Sequence, residues 1–165
     1  MHEYSWFVTL TYRNEHLPEN GTLVPGHFKS FVKSLRRAHP PRSLSYFGCG
    51  EYGGKTGRPH YHAVLFGPNF PDRYWFDDRG TGAVWKSPTL ESHWKYGFSE
   101  FSVVTKASAA YTAGYVQKKV DIANDPHYYT RVDPATGELF ELQPQFARMS
   151  LNPAIGRRWI ERYWE

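Results

Sequence analysis

The chain has 165 residues, a length that suits one compact domain able to bury a core without staples. Its single cysteine, Cys49, excludes an intrachain disulfide and a cysteine-rich zinc site, and suits a reducing compartment. A net charge of +4 and a pI near 9.1 lean mildly toward a polyanionic partner and identify none by themselves. In chain order, Tyr4 to Tyr12 alternate Trp6, Val8 and Leu10 against Phe7, Thr9 and Thr11, which predicts a central strand with both faces covered. Residues 13–25 carry Pro18, Gly21 and Pro25 and read as a loop. In HFKSFVKSLRRA, Phe28, Phe31, Val32 and Leu35 recur at helical spacing, with Lys29, Lys33, Arg36 and Arg37 on the outer face. Pro40 and Pro41 end that helix.

SLSYFGCGEYG reads as a second strand and HYHAVLFG as a third, joined through GGKTGRP as a hairpin with a long tip. Residues 68–97 are mixed and Trp-rich, with a short helix near Leu90 to Lys95. FSEFSVVT is a fourth strand and KASAAYTAGYVQKKV a helix. Residues 122–144 read as loop, FARMS as a fifth strand, and Ala154 onward as a final helix. The expected fold is α+β, with helices packed on one antiparallel sheet of about five strands. No apolar run nears the roughly 18 residues that span a bilayer, and MHEYSWF lacks the layout of a secretory leader. The expectation is a soluble cytoplasmic protein without membrane contact. RRWIERYWE stops inside a helical pattern, so residues 1–165 are expected to be a single domain of a longer protein.

The chemistry concentrates in two places. On a strand, His60 and His62 of PHYHAVLF point to one face and present two imidazoles side by side. If the hairpin pairs Glu51 with His60, a carboxylate joins them, and Cys49 falls on the same face. Two histidines and one carboxylate leave coordination positions open for Mn²⁺ or Mg²⁺, with Mn²⁺ the better match to imidazole nitrogen. The plainer alternative is a pair of surface histidines and a small buried cysteine. The second place is the helix of residues 106–120. Tyr111 and Tyr115 are four apart and share a face, with Lys118 near it. Tyrosine ionises near pH ~10 and needs help to act as a nucleophile; a cation such as Lys118 favours the phenolate. An aromatic stripe packed on a sheet is the alternative for that spacing.

FVTLTY, GEYGGKTGRPHYHAVLFG and AAYTAGYVQKK, in that order, resemble the three motifs of rolling-circle replication initiators of the HUH endonuclease superfamily. The likeness is greatest to those of single-stranded DNA microviruses of the gokushovirus-like branch. The resemblance implies a ferredoxin-like or RNA-recognition-motif-like sheet, with His60, His62 and Glu51 as metal ligands. It implies Tyr115 with Lys118 as the Y-x-x-K pair and Tyr111 as the extra tyrosine of two-tyrosine members. Tyr111 is followed three residues on by Gly114 where some relatives have lysine, so Tyr115 ranks first as nucleophile. The implied reaction is nicking of single-stranded DNA at a phage replication origin, with a 5′-phosphotyrosine link and a free 3′-OH primer. It would take place in the host bacterial cytoplasm with a host helicase and polymerase as further partners.

Single-strand binders pair cations with aromatic stacking platforms. Arg58 and Lys55 in the hairpin tip come first for DNA contact, followed by Lys119 and Tyr52; Tyr61 and Trp85 are further aromatic candidates. Three other functions share these features: a transposase or relaxase of the same superfamily, a non-catalytic nucleic-acid-binding module of the same topology, and a metal phosphodiesterase that uses water.

Overall fold

The computed structural model describes residues 2–164 apart from 41–42, 81, 123–126 and 153; the side chains of 115–122 and of 158 also lie outside the described residues. The strands are β1 (Ser5–Tyr12), β2 (Ser45–Tyr52), β3 (Pro59–Phe66), β4 (Tyr74–Arg79), β5 (Gly82–Lys86), β6 (Gly97–Val103), β7 (Thr130–Val132), β8 (Leu139–Glu141) and β9 (Phe146–Met149). The helices are α1 (Pro25–Ala38), α2 (Pro88–His93), α3 (Lys106–Ile122) and α4 (Arg157–Tyr163). Among the described residues, seven strands form one antiparallel sheet in the order β4-β5-β6-β1-β3-β2-β9, and β7 and β8 form a separate hairpin. No described helix is long and apolar enough to cross a membrane.

The central strand divides the domain. Trp6, Val8, Leu10 and Tyr12 of β1 are buried, whereas Ser5, Phe7, Thr9 and Thr11 are half-buried, so the two faces are covered unequally. The buried side packs with Phe28, Phe31, Val32 and Leu35 of α1 in one apolar cluster. Helix α1 forms because those four residues recur on one stripe and Pro25 opens its first turn. Its basic outer face is not all solvated: Arg36 donates to Ser150 Oγ over 2.9 Å and lies over the Tyr46 ring.

Strand β2 shows how one short sequence serves both faces. In GCGE, the glycines point to the α1 side and Cys49 and Glu51 to the other. A Cβ on Gly48 would collide with Phe28 Cζ, and one on Gly50 would stand 2.7 Å from the Phe146 ring. The missing side chains let both aromatic rings lie directly on the strand. Opposite them, α3 covers the polar face carrying Glu51, His60, His62 and Thr9.

The sheet exceeds the expected five strands by two. Five of its members, β6-β1-β3-β2-β9, are those anticipated; β4 and β5 come from the Trp-rich stretch that showed no clear period. A bulge between Trp75 and Asp77 breaks the alternation there, and β4 lies at the sheet edge with most of its residues exposed. The 122–144 stretch, expected to be loop, contains β7 and β8 closed around the predicted turn, with Asp133 N–H donating to the Glu138 carbonyl over 2.8 Å. Three-residue strands are too short to show a repeat. The short helix near Leu90 and the final helix form where expected, as α2 and α4.

Candidate functional site

The hairpin register assumed from the sequence is the one observed: Glu51 pairs with His60, and Cys49 with His62. Glu51 Oε1 lies 2.8 Å from His60 Nε2 and 3.0 Å from His62 Nε2. The Tyr111 hydroxyl, brought in by α3, donates to the same oxygen over 3.0 Å. Glu51 is 5% and His62 8% exposed, so the carboxylate sits under cover and His60 is half-buried toward solvent. Ligand atoms of Glu51, His60 and His62 lie within 4.8 Å of one another. Cys49 is fully buried behind His62 and is not part of that group.

Hydrogen bonding around the imidazoles favours a cation at this point. His60 Nδ1 is 3.1 Å from the Arg58 carbonyl, which can only accept, so the Nδ1 position carries a proton. A neutral His60 ring then turns a bare Nε2 lone pair toward the Glu51 carboxylate, an acceptor facing an acceptor. A shared proton or a metal ion resolves the conflict. Burial pulls the His60 pKa down, but the Glu51 hydrogen bond, the Arg58 carbonyl and the Glu51 charge outweigh it and hold the ring above its ordinary value. At His62 burial dominates and the pKa falls below the ordinary value in spite of Glu51. His62 Nδ1 is fixed by Thr9 Oγ1 at 3.1 Å, and Phe7 stacks on the ring at 5.2 Å between centroids. Outer hydrogen bonds of this kind orient imidazole ligands in metal sites. Two nitrogens and one carboxylate, each imidazole held from behind, fit Mn²⁺ or Mg²⁺ with open positions for a substrate oxygen.

A cavity of about 470 Å³ opens beside this group, lined among others by Phe7, Thr9, His62, Glu100 and Tyr111. Arg79 of β4 closes one side and pairs with Glu100 of β6, with Nη2 3.0 Å from Oε2.

The sequence candidates separate by position. Tyr111 is in the site; Tyr115 lies one turn further along α3, and its side chain, with those of Lys118 and Lys119, lies outside the described residues. Arg58 is half-buried and donates from Nη2 to the Tyr12 carbonyl over 2.8 Å, tying the hairpin to β1, while Lys55 is exposed in the tip. The Tyr52 hydroxyl donates to the Gln143 carbonyl over 2.7 Å and accepts from Leu23 N–H, on the face away from Glu51. Tyr61 is fully buried in the core, which removes it as a stacking platform, and Trp85 is half-buried across from Phe101. Thr9 and Phe7 were missed as site residues. Their alternation placed them on the right face of β1, but nothing in the sequence put that face behind His62.

The likeness to known proteins follows the same elements. Residues 5–120, from β1 through most of α3, match the family described as replication-associated protein ORF2, and the chain belongs to that family. It is 38% identical over 128 residues to replication-associated protein ORF2 of Spiroplasma virus 4, covering 73% of this chain and 40% of that protein. It is 34% identical over 169 residues to replication-associated protein VP4 of Bdellovibrio phage phiMH2K, covering 96% of this chain and 49% of that protein. It is 34% identical over 132 residues to replication-associated protein ORF4 of Chlamydia phage 1, covering 75% of this chain and 33% of that protein. The chain thus spans no more than half the length of these relatives. No solved structure matches it.

Proposed function

We propose that this domain starts phage DNA replication by nicking single-stranded DNA at the origin and joining itself to the cut end through a tyrosine, as in HUH endonucleases. The observation that carries the reading is the convergence of His60, His62 and Tyr111 on one oxygen of Glu51. A metal-binding group and a nucleophile-bearing side chain within hydrogen-bond reach are the two parts such a reaction needs.

Held by Glu51, His60 and His62, a Mn²⁺ or Mg²⁺ ion supplies polarisation of a phosphate oxygen. The tyrosine oxygen attacks phosphorus as the bond from phosphorus to the 3′ oxygen breaks, and the phenolic proton ends on the departing 3′ oxygen. The product is a 5′-phosphotyrosine and a 3′-OH that a host polymerase, working with a host helicase in the bacterial cytoplasm, extends. Joining is the same step in reverse. The Tyr111 hydrogen bond to Glu51 supports Tyr111 as the tyrosine poised at the site. Tyr115, ranked first from its spacing to Lys118, becomes the second nucleophile one turn away. In this scheme Lys118 stabilises phenolate or phosphate charge, and Lys55, Arg58 and Lys119 meet the DNA backbone. Tyr52 acts indirectly, by fixing the base of the hairpin.

Incubation with origin-derived single-stranded oligonucleotides and Mn²⁺, followed by a denaturing gel, tests this. A slower protein band that carries label and disappears with chelator is expected. Persistence of the band in the Tyr111→Phe/Tyr115→Phe double variant would refute the tyrosine assignment. Metal-dependent cleavage without any adduct would point instead to water as the nucleophile.

A further inference from the structure

Phe98 and Phe76 are large apolar side chains left 45% and 42% exposed, and neither contributes to the buried cluster. The register places Phe98 beside the metal-type triad. Thr11 pairs with His60 on one side and with Phe98 on the other. Paired residues share a face, so Phe98 stands in the row of His60, two strand spacings or about 10 Å away. Cations lie over both rings. The Arg13 guanidinium is 4.9 Å from the Phe98 centroid, and Lys86 Nζ is 3.7 Å from the Phe76 centroid and 5.8 Å from that of Phe98. Glu100, two residues from Phe98, is already paired with Arg79. The patch is therefore aromatic and positively charged, and it is continuous with the proposed reaction site.

We propose that Phe98 and Phe76, with Arg13 and Lys86, form a stacking track that holds single-stranded DNA on the sheet face beside Glu51, His60 and His62. This rests on the nicking reading for its ligand. Exposed rings offer faces to bases, while lysine and arginine meet the phosphates between them, the combination that binds single strands with little regard to sequence. Phe76 and Lys86 come from β4 and β5, so the two strands added to the sheet edge acquire a role: they extend the DNA-holding surface outward from the reaction site.

The test is fluorescence anisotropy with a labelled single-stranded oligonucleotide, without metal, on the whole chain. Phe76→Leu and Phe98→Leu keep apolar bulk and remove the ring, and thermal melting checks that each variant folds. Each is expected to weaken binding about 5-fold or more, and the double variant up to about 100-fold. Phe98→Trp should retain binding. Lys86→Ala should lower the slope of log affinity against log salt by about 1. Nicking at saturating oligonucleotide should keep its rate in all of them. Unchanged affinity in a folded double variant overturns the track and leaves the patch to some other partner. If instead wild-type protein binds the oligonucleotide through these rings yet forms no adduct, the nicking reading fails and the track stands.

Discussion

Tyr111 and Glu51 stand 60 residues apart in the chain and are joined by a 3.0 Å hydrogen bond from phenol to carboxylate. That bond brings α3 onto the His60–His62 hairpin and places a hydroxyl at the edge of a site with metal-ligand chemistry. Tyr111→Phe deletes the hydroxyl and keeps the ring that meets Phe7 and His62 edge-on. Adduct formation should fall by about 100-fold or more, as expected for loss of a nucleophile. Mn²⁺ affinity, measured by calorimetry, should change little.

Thr9 offers a sharper test of how the site is held. Thr9→Val removes the hydroxyl facing His62 Nδ1 and preserves shape on a half-buried strand position. Loss of such an outer hydrogen bond should weaken metal binding or activity about 10- to 100-fold with the fold retained. A Thr9→Val variant that binds Mn²⁺ as tightly as the parent would show that His62 needs no such support.

Gly48 tests the opposite face. The Cβ of Gly48→Ala would collide with Phe28 Cζ in a packed core. The expected cost is about 1–3 kcal/mol, read as a lowered melting temperature. Phe28→Leu, combined with it, should recover part of the loss by withdrawing the ring tip.

Acid should weaken the fold through its histidines. Burial lowers the pKa of His27, and burial and then His39 lower that of His93. Each binds a proton more readily when unfolded, so the unfolded state takes up more protons as pH drops. The stabilisation is complete above the ordinary histidine value of about 6.5 and is lost progressively as pH falls below it. Melting temperature should therefore be flat from about pH 7 to 8 and decline toward pH 5, with His93→Asn shallowing the decline. A melting temperature that rises on acidification would contradict the sign.

The sequence carried the site further than the sheet edge. Glu51, His60 and His62 were legible because strand alternation fixes which residues share a face, and one choice of register brings them together. Tyr111 was visible as a helical position, but its contact with Glu51 depends on how α3 crosses the sheet, which no local pattern encodes. Thr9 was hidden for the same reason: its partner lies on a different strand. Strands β4 and β5 escaped because a bulge and an exposed edge remove the alternation that marks a strand. Their exposed Phe76 looked like one more aromatic in a Trp-rich stretch until Lys86 and Phe98 were found against it.

The central claim is that a tyrosine of α3 becomes bonded to DNA in a reaction that needs the Glu51–His60–His62 group. The most direct measurement is mass spectrometry of protease-digested protein after reaction with a single-stranded origin oligonucleotide and Mn²⁺. The expected product is a nucleotide-bearing peptide from α3, modified on Tyr111 or Tyr115, that is absent with chelator and absent from Glu51→Gln. Cleaved oligonucleotide with no nucleotide on either tyrosine would contradict it.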